Sequence, residues 1–104
     1  MKDKVIKFFA GKMGKEIRVD SEVNNMGYFG LDAWTLMSDF FEEFEVRNSE
    51  DFEIYAFFVE ELSVIDFMKK GYKKRIKEKK SLFIKHLIKV AERKEWFDPI
   101  YSTS

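Results

Sequence analysis

The side chains that could act in catalysis are few and scattered in this sequence. His86 is the only histidine among the 104 residues, and a lone histidine is more often a surface or core residue than a general base or metal ligand. Two carboxylate pairs are adjacent in sequence, so on a helix their side chains diverge: Glu42 with Glu43, and Glu60 with Glu61. There is no cysteine, no glycine-rich phosphate loop, no recognisable nucleophile motif and no metal-ligand spacing. The sequence therefore predicts no enzyme activity, no cofactor and no metal site.

A row of mostly acidic side chains is the strongest candidate for a binding surface. It lies on one side of the helix predicted over residues 31–44 and comprises Asp32, Thr35, Asp39, Glu42 and Glu43. A basic patch on a partner protein would be attracted to it, and such charge complementarity mostly sets encounter rate and orientation. A solvated helix face with no partner has the same pattern, so both interpretations remain open.

A lysine-rich run, KKGYKKRIKEKK at residues 69–80, could contact phosphates of nucleic acid. Only Tyr72 interrupts it as a stacking candidate, and no nucleic-acid motif overlies it. The acidic part of the chain would also repel a polyanion. The sequence therefore disfavours a nucleic-acid partner, and we expect an exposed segment that faces the acidic part of the chain or an acidic partner.

The formal net charge is zero, but the charges are unevenly distributed. Residues 1–68 contain 7 basic and 15 acidic side chains, whereas residues 69–104 contain 12 basic and 4 acidic ones. Such a split indicates either attraction between the two parts of the folded domain or separate partner surfaces.

The length allows one hydrophobic core, so we expect a single domain over residues 1–104 with a short tail at 101–104. Lys7 and Lys12 interrupt the N-terminal apolar residues before they reach the length of a signal sequence. No window approaches the roughly 18 apolar residues of a membrane span. We therefore expect a soluble, cytoplasmic protein with no membrane partner.

Hydrophobic periodicity predicts helices throughout. The first runs from Asp3 to Gly14, and a long loop pinned by isolated apolar residues follows at 15–29. The second covers residues 31–44, with a predicted apolar stripe formed by Leu31, Ala33, Trp34, Met37, Phe40, Phe41 and Phe44.

Three further segments complete the helical pattern. A short helix opens at Ser49 or Glu50, with buried positions expected at Phe52, Tyr55 and Ala56. Residues 57–68 are mostly helical in preference, with core candidates at Leu62, Ile65, Phe67 and Met68. Ser81 is the expected N-cap of the last helix, whose apolar face is formed by Phe83, Leu87, Ile88, Val90 and Ala91. Because every strong period is near 3.6, the fold class is all-α with four principal helices.

Residues 20–46 resemble the core of acyl and peptidyl carrier proteins. In carriers the pattern D-S-x-x-x-D-L-G-x-D-S-L-D is followed by a helix ending in E-E-F-[DE]-[IV]. In this chain Asn25 replaces the second Asp of the pattern, and Met26 replaces its first Leu. The positions that match in kind are Asp20, Ser21, Gly27, Leu31, Asp32, Leu36, Glu42, Glu43, Phe44 and Val46. The resemblance implies an acyl-carrier-like four-helix bundle with a long loop between helices 1 and 2 and a lysine-rich insertion before the last helix.

The combination of this segment with F-x-x-Y-x-F and the ending K-V-A-E-R-K-E-W is similar to a bacterial family of uncharacterised acyl-carrier-like proteins. These two runs begin at Phe52 and Lys89. Members of that family also tend to lack the carrier serine. The resemblance thus implies a fold without implying an activity.

Two departures separate this chain from a working carrier. In carrier proteins the serine bears the phosphopantetheine arm, and here Gly30 occupies the position of that serine. The preceding aspartate is replaced by Phe29, which can neither bind a metal nor orient an attacking group. Ser38 and Thr35 are the nearest hydroxyls, one to two turns further along the predicted helix.

Three hypotheses follow. The first is a non-catalytic carrier-like module that binds a protein partner with a basic patch and has no prosthetic group. The second is a working acyl or peptidyl carrier with an unrecognised attachment residue. The third is a regulatory interaction protein unrelated to biosynthesis, binding through aromatic residues around Trp34 and Trp96.

Overall fold

The computed structural model describes residues 1–60 and 76–99. Within these ranges the α-helices are α1 (Lys2–Met13), α2 (Gly30–Glu43), α3 (Ile54–Phe57) and α4 (Ile84–Arg93), and the two 3₁₀ turns are η1 (Val23–Asn25) and η2 (Ser49–Asp51). In this described part the only extended pairing consists of two isolated bridges, Glu22 with Phe83 and Arg47 with Glu95. The all-α class is confirmed for these residues.

Some sequence-based expectations fall on residues 61–75 and 100–104 and so lie outside the described residues. They concern the tail at 101–104, most of the lysine-rich segment, and the core candidates Leu62, Ile65, Phe67 and Met68.

The first helix follows its sequence pattern closely. Val5, Phe9 and Met13 are buried at helical spacing. Gly14 ends α1 in the left-handed conformation (φ 66°), and its N–H donates to the Ala10 carbonyl over 2.9 Å. Glycine adopts this conformation without a Cβ clash, which explains the clean helix end.

The long loop after α1 is held in place by a buried asparagine. The Nδ2 of Asn24 donates to the carbonyls of Phe57 and Lys80 (2.7 and 2.6 Å), and its Oδ1 accepts from the Leu82 N–H at 3.0 Å. One side chain thereby satisfies backbone groups of two distant segments. Sequence reasoning treated Asn24 as a loop residue and missed this role.

The buried face of the second helix is rotated from the predicted one. Its buried residues include Ala33, Leu36, Met37, Phe40 and Phe41, whereas Leu31 is 70% exposed and Trp34 is 53% exposed. The predicted burial of these two side chains was wrong. They lie together at one edge of the predicted apolar stripe, whereas Leu36, at the opposite edge and outside the predicted stripe, is buried.

Aromatic side chains fill most of the core. Phe40 packs against Phe9 and Phe44, with ring centroids 5.3 and 5.2 Å apart, and α1 packs against α4. Aromatic pairs at such distances stabilise a core beyond the area that they bury.

Trp96 belongs to this core and not to the surface. It is 3% exposed, and its ring lies edge-to-face against Phe52 and Phe57 at 4.7 and 5.9 Å. Asn48 fixes the backbone there, because its side chain donates to the Trp96 carbonyl and accepts from the Trp96 N–H. The predicted aromatic binding surface around Trp34 and Trp96 was therefore wrong for Trp96.

The last helix begins two residues later than expected. Ser81 is not its N-cap; α4 starts at Ile84 after Phe83, with no side-chain cap. The chain before it is extended because it pairs with the loop after α1: the Val23 N–H donates to the Leu82 carbonyl, and the Ile84 N–H donates to the Ser21 carbonyl.

The short helix predicted to open at Ser49 or Glu50 agrees with the structure only in part. Phe52 is buried as expected, and Ala56 is partly buried. Tyr55, which was expected in the core, is 49% exposed and was predicted wrongly. Helix α3 has only four residues, Ile54–Phe57, which is too short for periodicity to define a face.

Candidate functional site

The acidic residues predicted on the second helix form two rows on the outer side of α2. Thr35 and Glu42 lie almost in line with Leu31 along the outermost row, since 3.6 residues make one turn. Asp32, Asp39 and Glu43 form a second row beside it. All five polar side chains are solvent-accessible, with Asp39 partly covered and the other four exposed.

One member of the second row is already paired within the protein. The ammonium group of Lys12 on α1 lies 2.9 Å from Asp39 Oδ2. Both side chains remain partly exposed, so the pair contributes little stability. Its consequence for binding is that Asp39 presents less negative charge to a partner than Asp32 does.

Glu43 is also close to basic side chains. It lines a surface cavity of about 560 Å³ together with Lys4, Lys7 and Lys94. Lys94 itself lies 3.4 Å from Glu45 Oε2. The predicted acidic face thus contains one ion pair, at Asp39, with further lysines near Glu43; its more negative part is around Asp32 and Glu42, which form no ion pair among the described residues.

The negative part extends beyond α2 in a direction that sequence reasoning missed. A groove of about 560 Å³ follows the other flank of the helix, and its floor includes Met37, Phe41 and Val46. Its rim carries the acidic side chains Glu42, Glu45 and Glu50. Glu45 and Glu50 were not predicted because they follow the helix, where helical spacing no longer indicates neighbours.

An apolar patch adjoins these carboxylates at the start of α2. Leu31, Trp34 and Tyr55 are all about half exposed or more. With Gly30 and Ile54 they line an open pocket of about 450 Å³. We call this feature the Trp34 pocket. Leu31, Trp34 and Tyr55 were predicted to be buried, so the sequence alone did not reveal the pocket.

Gly30 and Phe29 tie the start of α2 to the chain near residue 59. The Gly30 N–H donates to the Val59 carbonyl at 3.0 Å, and Phe29 packs against Val59 and Ile76. Gly30 is buried, with φ at 56°. A residue with a Cβ is strained in this left-handed conformation. The two departures from the carrier pattern therefore occupy one structural anchor.

His86 lies away from α2, in the interior beside the C-terminal segment. Its Nε2 is 2.8 Å from the Phe97 carbonyl, and its ring lies edge-to-face against Phe97 and Trp96. Burial lowers the pKa of His86 below its usual 6.5; Lys89 and Arg93 lower it further, whereas the Phe97 carbonyl and Asp98 oppose the shift. The arrangement is that of a core histidine.

Residues 2–98 match the model of a family described as a protein of unknown function, DUF1493. The chain belongs to the DUF1493 family. Searches with this DUF1493 chain found no match among curated proteins and none among solved structures.

Two further findings on this DUF1493 protein concern metal ions and membranes. Across residues 1–60 and 76–99, no three or more His, Asp or Glu side chains are grouped to hold a metal ion. The helices within those same ranges include none with the length and apolar character needed to cross a membrane.

Proposed function

We propose that this protein is a non-catalytic, acyl-carrier-like interaction module that has no phosphopantetheine arm and binds a partner protein through α2. The carrier-type bundle is part of this proposal, as is the absence of enzyme activity. The observation that carries it is Gly30, a buried residue with φ at 56° at the position where carriers have their serine. This residue offers neither the hydroxyl nor the exposure that arm transfer needs.

The charge of the α2 region supports a basic partner. Residues 30–60 contain nine acidic side chains and one basic side chain, Arg47. Asp32 and Glu42 are exposed, and the described residues form no ion pair with either. A surface of this kind accelerates encounter with a positively charged protein and orients it.

Arm transfer provides the first test. The purified protein is incubated with a phosphopantetheinyl transferase and coenzyme A, and its intact mass is then measured. We expect no change in mass, with a known carrier protein modified in parallel as the positive control. A stoichiometric gain equal to the mass of the arm would refute the proposal.

The Gly30→Ser variant is the informative companion in this experiment. It restores a hydroxyl at the position of the carrier serine, but the side chain enters a left-handed, buried site. We expect it to remain unmodified, because the serine is not presented to the transferase. Modification of the variant alone would mean that the glycine is the only barrier to carrier activity.

Partner capture provides the second test. Wild-type protein and the Asp32→Asn/Glu42→Gln variant are immobilised separately, and each is exposed to a native lysate at low salt. The matched control is Glu92→Gln, which removes one exposed carboxylate on α4. We expect a partner that binds wild type and the α4 control, binds the α2 variant more weakly, and elutes as salt rises. Equal capture by all three proteins would contradict docking on α2.

A working carrier with an unusual attachment residue is the second candidate. Thr35 and Ser38 are both exposed hydroxyls on α2, which is the observation that favours it. The mass measurement separates the two, and peptide mapping of a modified product would locate the arm.

A regulatory interaction protein unrelated to biosynthesis is the third candidate. It is favoured by the exposure of Trp34, which needs no carrier ancestry to bind a partner. The identity of the captured partner discriminates here, because enzymes of fatty-acid or peptide synthesis would favour the carrier-like module.

A further inference from the structure

The Trp34 pocket concentrates apolar surface that the fold leaves uncovered. Of the four large hydrophobic side chains that are clearly exposed in the described residues, three line this pocket, and the fourth is Met1. Isolated exposed apolar side chains are ordinary, but their clustering around one concavity marks interaction sites. Trp and Tyr are also enriched among residues that dominate binding energy.

The walls of the pocket are held by elements that do not depend on a ligand. Ile54, one of the residues that line the pocket, is buried. Helix α3 is tied to a distant part of the chain because Lys79 Nζ donates to the Tyr55 carbonyl at 2.7 Å. On the other side, the Gly30 N–H bonds to the Val59 carbonyl. A partner side chain would therefore enter a preformed cavity, which limits the entropy lost on binding.

The surroundings of the pocket select the charge of its occupant. Asp32 follows Leu31 on α2, and Glu53 immediately precedes α3; both side chains are exposed. The groove along the same flank of α2 shares Trp34 and adds Glu42 and Glu50, together with Glu45, whose carboxylate is paired with Lys94. None of the described residues that line the pocket itself is acidic; the acidic groove beside it, through Glu42 and Glu50, favours an apolar group that has positive charge nearby and disfavours an anionic lipid surface.

We propose that the Trp34 pocket binds a large apolar side chain, of the size of leucine or phenylalanine, on a protein segment that also carries lysine or arginine within about one helical turn of it. The apolar side chain contacts Leu31, Trp34 and Tyr55, and the basic residue faces the carboxylates of α2. This inference rests on the proposed interaction function and specifies the chemistry of the segment that binds.

A library of random twelve-residue peptides displayed on phage provides the probe. Peptides are selected on the full-length wild-type protein, and their dissociation constants are then measured for variants. We expect the selected peptides to share a large apolar residue with Lys or Arg within four positions. We expect at least tenfold weaker binding to Leu31→Ala/Tyr55→Ala and to Trp34→Ala. Failure to select any peptide would overturn the proposal.

Control variants separate the pocket from a general loss of structure. Lys89→Ala and Glu92→Gln, both at exposed positions of α4, should bind the peptides as wild type does. The mutated side chains are exposed, and an unchanged urea unfolding midpoint confirms that each variant is folded. Peptides that bind Leu31→Ala/Tyr55→Ala within twofold of wild type would overturn the proposal.

The charge variant distinguishes this inference from the proposed function on which it rests. If Asp32→Asn/Glu42→Gln binds the peptides as tightly as wild type at low salt while the pocket variants lose binding, docking through these two carboxylates fails; the pocket proposal then stands if the selected peptides share Lys or Arg near the apolar residue, and fails if they do not. If only the charge variant loses binding, the pocket proposal fails. Phosphatidylcholine vesicles are a further arm: a Trp34-dependent blue shift of emission with vesicles, but not with peptides, would overturn the protein-segment assignment.

Discussion

The two tryptophans occupy opposite kinds of environment. Trp96 is 3% exposed and lies among the rings of Phe41, Phe52 and Phe57, whereas Trp34 is 53% exposed beside an open pocket. Trp34 lies within α2, and Trp96 lies just after the end of α4. The difference shows that one region of this protein uses aromatic area to stabilise the fold, while the other leaves it available for binding.

Truncating each tryptophan gives the largest expected contrast. Trp96→Ala should lower the free energy of unfolding by about 3–5 kcal/mol, because it leaves a large cavity in the core. Trp34→Ala should change it by no more than about 0.5 kcal/mol, as expected for a surface position. Urea unfolding followed by circular dichroism measures both.

Trp96→Phe refines this contrast. Within the described residues the buried Nε1 of Trp96 has no hydrogen-bond partner, so the change removes volume without orphaning an acceptor. We expect a much smaller loss of stability than for Trp96→Ala. Similar losses for Trp34→Ala and Trp96→Ala would remove the distinction between the two regions.

A buried polar residue supports the same core. Asn24→Ala should lower the free energy of unfolding by about 3 kcal/mol, because the carbonyls of Phe57 and Lys80 and the N–H of Leu82 lose their partner. The neighbouring Asn25 is exposed, and Asn25→Ala is the matched control with little expected effect. Equal losses in the two variants would show that the amide contacts of Asn24 contribute nothing.

The buried region should also respond to pH through His86. Its pKa is lowered in the folded protein, chiefly by burial, so the unfolded chain binds the proton more readily. Stability from this group is therefore complete above the unfolded pKa near 6.5 and falls as pH decreases toward the folded pKa, by at most about 1.4 kcal/mol per pH unit. The free energy of unfolding at pH 7.5 and pH 5.5 measures this decrease.

His86→Gln is the control for this pH dependence. The amide is a neutral donor that can replace Nε2 toward the Phe97 carbonyl, and it does not titrate. We expect a flatter pH profile in the variant. A profile as steep as that of wild type would assign the effect to other groups.

Two glycine substitutions, one at the start of α2 and one inside α1, should have smaller and opposite effects on stability. Gly30→Ala should lower the free energy of unfolding by about 1 kcal/mol, because φ at 56° is unfavourable for a residue with a Cβ. Gly11 lies inside α1 with open space around it, so Gly11→Ala should raise stability by about 0.5–1 kcal/mol. Thermal unfolding would reveal opposite signs; a stabilising Gly30→Ala would contradict the anchor.

The ion pair on the acidic face should matter least to stability. Asp39→Asn should reduce the free energy of unfolding by less than about 1 kcal/mol, since Lys12 and Asp39 are both partly exposed. Asp32→Asn breaks no ion pair among the described residues and loses only the interaction of its carboxylate with the first turn of α2, about 0.3 kcal/mol. Unfolding in low and high salt measures the difference, which should vanish at high salt if the interaction is electrostatic.

Helix positions were largely predictable from the sequence, whereas exposure was not. The bounds of α1 and α2 agree with the spacing of apolar residues and with Gly14 as a helix end. Periodicity identifies residues on the same face, but the width of the buried arc depends on which segments pack there. The spacing placed Leu31 and Trp34 on the apolar face, but it could not show that no segment packs over them.

Long-range contacts account for the other errors. Ser81 is a good N-cap by residue type, but pairing between Glu22 and Phe83 keeps the chain extended until Ile84. Asn24 is typical of a loop, and its role depends on backbone groups far away in sequence. No local pattern reports such contacts.

The candidate site was predictable only in its polar residues. Asp32, Thr35, Asp39, Glu42 and Glu43 are accessible on α2, and the sequence could indicate this because exposed faces follow helical spacing. The pairing of Asp39 with Lys12 and the contribution of Tyr55 come from separate elements. They required the structure.

The intact mass of the protein purified from its native cells tests the central claim most directly. That measurement would detect a phosphopantetheine arm on any residue, including Thr35 and Ser38, without assuming which transferase acts. The account predicts the mass of the polypeptide without an arm. A stoichiometric addition equal to that arm would contradict it and establish the protein as a carrier.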